Sequence, residues 1–171
     1  MPNHVTHKFT IEGTEEDIKK FIDECIDKER QFDFNTLIPM PEILKTTIRG
    51  NTSEMQTEEY KAKEEEALDT TGHNNWYNWR LEHWGTKWNA YSTHYENHGK
   101  IIQLEFDTAW SCPEPIFKAL LENFPTLTFE GYALDEGFCF GAVITIGEDD
   151  FSTEYLDIHA GLFEAFSHRF I

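Results

Sequence analysis

From His4 to Ile11 apolar and polar positions alternate, with Val5, His7, Phe9 and Ile11 on one side and His4, Thr6, Lys8 and Thr10 on the other. A period of two over this length predicts a strand with one buried face. Gly13 breaks the pattern, and Thr14 with Asp17 three positions on is the signature of a capped helix start. Ile18, Phe21, Ile22, Cys25 and Ile26 then recur at helical spacing, so this helix is expected to press Phe21 and Ile22 against Phe9 and Ile11. Glu15, Glu16 and Asp17 suit the positive end of its dipole, and Lys28 and Arg30 the negative end.

A second strand is expected over F-D-F-N-T-L-I (32–38), ahead of Pro39 and Pro41. Residues from about 44 to 85 read as an insertion. Within it, 54–69 holds seven acids against Lys61 and Lys63 with little apolar periodicity. Trp76, Trp79 and His83 then fall at helical spacing, and Gly85 stops the turn. Strands over 88–94 and 100–110 flank N-H-G, which resembles a hairpin connection. Ser111 with Glu114 opens a second helix, striped by Phe117, Leu120, Leu121 and Phe124 and ended by Pro125. Two more strands, around 127–133 and 138–146, are separated by the turn residues D-E-G. From about 157 to 171, Leu162, Phe163, Phe166 and Phe170 suggest a closing helix. Strand–helix–strand, twice, predicts one α+β domain over 1–171. The expected form is a ferredoxin-like two-layer sandwich with a mainly antiparallel sheet, the insertion at about 44–85 and an added C-terminal helix.

Charge sharpens this picture. The formal net charge is −18, and between residues 119 and 168 there is no Lys or Arg. The acids there are Glu122, Glu130, Asp135, Glu136, Glu148, Asp149, Asp150, Glu154, Asp157 and Glu164. Such a field repels phosphate backbones, so direct nucleic-acid binding is not expected, and it favours encounter with basic partners. The competing reading is a solubilising surface alone. Apolar runs are too short for a membrane span, and M-P-N-H-V-T-H-K lacks the basic start and apolar core of a secretory leader. Cys25, Cys112 and Cys139 are scattered, with no C-x-x-C pair, which favours free thiols in a reducing, cytoplasmic setting.

Four of the five tryptophans lie between Trp76 and Trp88. W-G-T-K-W-N-A-Y could wall a ligand pocket with Trp84, Trp88 and Tyr91 and supply Lys87 and Asn89 as its polar groups; the competing reading is core packing. His94 and His98 do not converge in a hairpin, and His4 and His7 lie on opposite strand faces, so no metal and no cofactor are expected. His7 reads as a core histidine. Asp135 and Glu136 could be paired carboxylates, yet D-E-G is sufficiently explained as a turn. With no G-x-S-x-G, phosphate loop or dinucleotide fingerprint, no catalytic residue is assigned and the chain reads as a non-enzyme.

The segments F-N-T-L-I-P-M-P-E, W-G-T-K-W-N-A-Y, F-D-T-A-W-S-C-P-E-P, L-x-x-F-P and Y-A-L-D-E-G-F-C-F-G-A occur in that order from about residue 32 to 146. Together they resemble the YubB ferredoxin-like family of phages, plasmids and other mobile elements. The resemblance implies a ferredoxin-like fold and a mobile-element origin, and brings no catalytic residues. Cys112 stands where the family's motif has the first of two prolines, which implies a structural place at a helix start rather than a nucleophile. The function expected is that of an acidic interaction protein in a bacterial host. It would bind a host protein with a basic surface, a defence or nucleic-acid-handling factor, through Asp135, Glu136, Glu148, Asp149, Asp150, Glu154 and Asp157. Acidic side chains would occupy a groove built for phosphates. The alternative is a small-molecule-binding or enzymatic domain using the Trp-lined region at residues 84–91.

Overall fold

The computed structural model describes residues 3–48, 50, 53, 55, 57–147 and 150–156. The alternating N-terminal segment forms β1 (His4–Glu12), and the capped helix α1 (Glu15–Cys25) follows. Four helices come next: α2 (Phe34–Leu37), α3 (Glu42–Lys45), α4 (Glu58–Thr71) and α5 (Trp76–His83). Then come the hairpin β2 (Tyr91–Asn97) and β3 (Ile101–Ala109), the helix α6 (Glu114–Asn123), and the strands β4 (Thr128–Asp135), β5 (Gly141–Gly147) and β6 (Asp150–Leu156). Among the described residues these strands form one sheet in the order β2-β3-β1-β4-β5-β6, with every neighbouring pair antiparallel. The run β2-β3-β1-β4, with α1 and α6 as crossovers, is the ferredoxin-like arrangement. β5 and β6 widen it by a hairpin.

Val5, Phe9 and Ile11 of β1 are buried, as are Ile102, Leu104 and Phe106 of β3 beside them. Among the described residues, helices cover this face alone. Thr14 accepts a hydrogen bond from the Asp17 N–H at 3.1 Å, which fixes the start of α1. Phe21 then meets Phe124, Phe129 and Phe32, with ring centroids 5.5, 5.8 and 6.0 Å away. This corrects the expected partners. Phe129 is the cross-strand neighbour of Ile11 and its ring holds the position under α1. Phe9 packs instead with Phe106 and Phe117. Ile22 is half-buried rather than central. Opposite Phe9 stands Gly131, where an added Cβ would fall 2.6 Å from the Phe9 ring and 2.3 Å from the Lys8 carbonyl oxygen. The glycine admits the ring, and the ring covers the backbone that glycine leaves bare.

Three expectations from the sequence change. F-D-F-N-T-L-I is not a strand. Phe32 makes one isolated bridge to Ile26, and Asp33 caps the short helix α2 by accepting from the Asn35 N–H at 2.9 Å. The second core strand is β2, so the helical excursion starts at α2 rather than near residue 44. Ser111 does not cap α6, which starts behind Pro113 without a side-chain cap; its hydroxyl donates to the Gly85 carbonyl at 2.6 Å. Finally, β6 adds a strand where none was expected, while the closing helix proposed for 157–171 lies outside the described residues.

Candidate functional site

The stretch from Trp84 to Tyr91 joins the insertion to the sheet, and its side chains divide into two groups. Trp84 is fully buried. Its indole N–H donates to the Ile38 carbonyl at 2.9 Å, and its ring meets Phe34 and Trp79 edge-on. The Arg80 guanidinium lies 4.8 Å from the Trp84 ring centre and 5.0 Å from that of Trp76, and burial lowers its pKa. The Asn89 carbonyl oxygen accepts the N–H of Phe34 at 2.8 Å and of Ala90 at 3.0 Å, while its amide donates to Asp33 at 2.6 Å. Both residues are committed to structure and neither offers a group to a ligand. That removes two of the five residues from the proposed pocket.

The remaining three sit at the surface in a different arrangement. The Lys87 ammonium lies 4.7 Å from the Trp88 ring centre and 5.0 Å from that of Trp110, so two indoles hold one cation between them. Trp88 and Tyr91 meet edge-on. Tyr91 donates to the Thr108 carbonyl at 3.0 Å and its oxygen lies 2.6 Å from His4 Nδ1; burial, with Asp107 and Glu136 nearby, pushes the phenol up to about 12. Trp110 was not foreseen. It stands 40% exposed with φ of +77°, a backbone conformation rare for a bulky residue.

The second surface is the face of the sheet that carries no helix among the described residues. Its strand positions carry Glu96, Glu105, Asp107, Glu130, Asp150 and Glu154, with Lys8 as the single lysine or arginine among the described residues. Lys8 is tied to Glu105 at 2.8 Å, a contact that raises its pKa. Two shallow depressions of about 210 and 270 Å³ flank it. One is lined in part by His94, Glu96 and Glu105, the other by Glu130 and Tyr132. Of the acids singled out from sequence, Glu136, Asp150 and Glu154 are exposed. Asp135 is not: it is 2% exposed, and its carboxylate accepts the N–H groups of Gly137 at 3.0 Å and Cys139 at 3.2 Å. It shapes the D-E-G turn and leaves the surface set. Glu148, Asp149 and Asp157 lie outside the described residues.

His7 is fully buried and stacks on Phe106 at 4.8 Å. Thr108 donates its hydroxyl to the Ser111 carbonyl at 2.7 Å, so it accepts from His7 Nε2–H at 2.9 Å. That assigns the tautomer and leaves Nδ1 as an acceptor without a partner among the described residues. Burial lowers the pKa of this imidazole from 6.5 to about 3. Cys25 and Cys112 are buried and their thiols are pushed up to about 12, which suits packing and not nucleophilic attack. His94 and His98 both approach the exposed Glu96 carboxylate, at 3.7 and 3.6 Å. A tighter group, His73 with Glu82 and His83, was missed from sequence. One member comes from a loop and two from a helix end, so no regular spacing announces it.

The strand order and crossovers define an α+β protein of the ferredoxin-like class. Residues 87–160 match the family described as "Ferredoxin-like domain in Api92-like protein". The crystal structure of protein api92 from Yersinia pseudotuberculosis superposes with a TM-score of 0.56 over 92% of this chain and 98% of that one, at 6% identity. No curated protein matches the chain in sequence. No helix among the described residues is long and apolar enough to cross a membrane.

Proposed function

We propose that this protein is an acidic binding module that engages a basic protein surface through the open face of its sheet. The observation that carries the reading is the composition of that face: Glu96, Glu105, Asp107, Glu130 and Glu154 stand in reach of solvent around one lysine, and that lysine is already paired. The RNA-binding version of such a sheet needs exposed aromatics with basic surroundings. Here the signs are reversed, which disfavours phosphate and favours the lysines and arginines that bind it. In the mobile-element setting that the sequence motifs imply, the partner is a host defence or nucleic-acid-handling protein whose phosphate groove the carboxylates occupy. Exposed Glu136 and Asp150 extend the same field.

The test is kinetic and competitive. A partner recovered from host lysate should associate more slowly with a Glu130→Gln, Glu136→Gln, Asp150→Asn, Glu154→Gln variant, and the salt dependence of its association should flatten. Nucleic acid and this protein should exclude each other from the partner. An unchanged association rate would reduce the acidic face to a solubilising surface. Simultaneous binding would remove phosphate mimicry.

A further inference from the structure

Independently of the acidic face, we infer that His73, Glu82 and His83 form a site for a divalent transition-metal ion of the zinc type. Helix α4 ends at Gly72, which adopts a left-handed conformation with φ of +77° and returns its N–H to Leu68. The chain thereby turns sharply and sets His73 in the short loop before α5. The His73 N–H donates to the Thr71 hydroxyl oxygen at 3.2 Å, and ring Nδ1 lies 3.1 Å from the Thr71 carbonyl. Only 12% of its side chain is exposed. Glu82 and His83 come from the last turn of α5, and the His83 ring is seated against buried Trp79 with centroids 4.5 Å apart. One ligand atom from each of the three residues lies within 4.8 Å of the others.

The contacts of His73 fix the direction of its ring. Nδ1 faces a carbonyl, which can only accept, and Nε2 faces the Glu82 carboxylate at 2.8 Å. An Nδ1–H given to the Thr71 carbonyl turns the lone pair of Nε2 toward the Glu82 carboxylate and the space between the three side chains. An Nδ1–H held by a backbone carbonyl is also how metal-binding histidines are oriented, leaving Nε2 free to ligate. Two imidazoles and a carboxylate suit zinc better than magnesium or calcium, which prefer all-oxygen shells. A tetrahedral ion with bonds of about 2.0–2.1 Å separates its ligands by roughly 3.3 Å, so the three donors, all within 4.8 Å of one another, would draw together by at most about 1.5 Å on binding. The negative end of α5 adds favourable potential at this position. The three donors leave a fourth position for water or a partner's side chain.

Titration of the metal-free protein with Zn²⁺ should show one equivalent bound with micromolar or tighter affinity, together with a raised unfolding temperature. His73→Asn and His83→Asn should each weaken binding at least about tenfold, while His94→Asn on the sheet hairpin leaves it unchanged. Because a change at His73 can unsettle its loop, Co²⁺ added to the unaltered protein gives a second reading. Intense visible absorption from a four- or five-coordinate nitrogen-containing site supports the assignment; a weak spectrum like that of the hydrated ion overturns it. Zn²⁺ binding that survives both His73→Asn and His83→Asn, or no binding at micromolar metal, also overturns it.

Discussion

Acidification should destabilise this protein through one imidazole. His7 gives its only N–H proton to Thr108 and, among the described residues, keeps an unpartnered Nδ1 beside aromatic rings, so burial disfavours its charged form in the folded state. Its pKa falls from 6.5 to about 3 on folding, and the cause is desolvation. In between, the unfolded chain binds the additional proton, so stability rises with pH. The contribution is fully present above about pH 6.5 and drains away as pH falls toward about 3, at about 1.4 kcal/mol per unit. At pH 5 the loss is ~2 kcal/mol, before most ordinary carboxylates take up protons. The assay is urea unfolding at pH 7 and pH 5 for the wild type and His7→Gln. Glutamine can still donate to Thr108 and does not titrate. The wild type should lose ~2 kcal/mol more than the variant between the two pH values, with unchanged dependence on urea. Parallel losses in the two proteins would refute the assignment of His7 as the acid-sensitive group.

Two further changes probe the scaffold. Phe21→Ala removes a ring packed on Phe32, Phe124 and Phe129 and should cost about 3–5 kcal/mol in chemical unfolding; a loss near zero would mean that α1 presents a different face. Asn89→Ala orphans the buried Phe34 N–H and removes one donor from Asp33, and should cost about 1–3 kcal/mol while leaving the sheet's circular dichroism intact.

Where the chain's pattern and its environment agree, the sequence was readable. β1 alternates without a break because one face meets helices and the other meets water, and α1 carries both its cap and its stripe in adjacent residues. The region around Phe32 and Phe34 misleads because aromatics two apart imitate a strand, while the Asp33 that begins a helix between them draws its supporting contact from Asn89, 56 residues away. The strand β6 escaped notice because an edge strand buries only half of one side, and D-F-S-T-E-Y-L alternates weakly. At the candidate sites the difficulty is direction. Adjacent Asp135 and Glu136 look alike in sequence, yet one carboxylate folds inward onto its own turn and the other remains exposed. Lys87 stands next to Trp84 in the motif, but the indoles that hold it are Trp88 and Trp110, the latter brought alongside by the end of β3.

The central place of β1 has a consequence for how the chain is made. The ribosome produces this strand before either of its neighbours: His4 pairs with Ala109 and Val5 with Asp135, so the flanking strands follow about a hundred residues later. At about 5–20 residues per second, the strand waits on the order of 5–20 s with Val5, Phe9 and Ile11 uncovered. Contacts this distant in sequence also slow the search for the native pairing once synthesis ends. Until then, α1 and the polar alternation of H-V-T-H-K-F-T-I are what limit self-association of the nascent strand, and replacing Lys8 or Thr10 by apolar residues would burden yield in the cell more than stability in the tube.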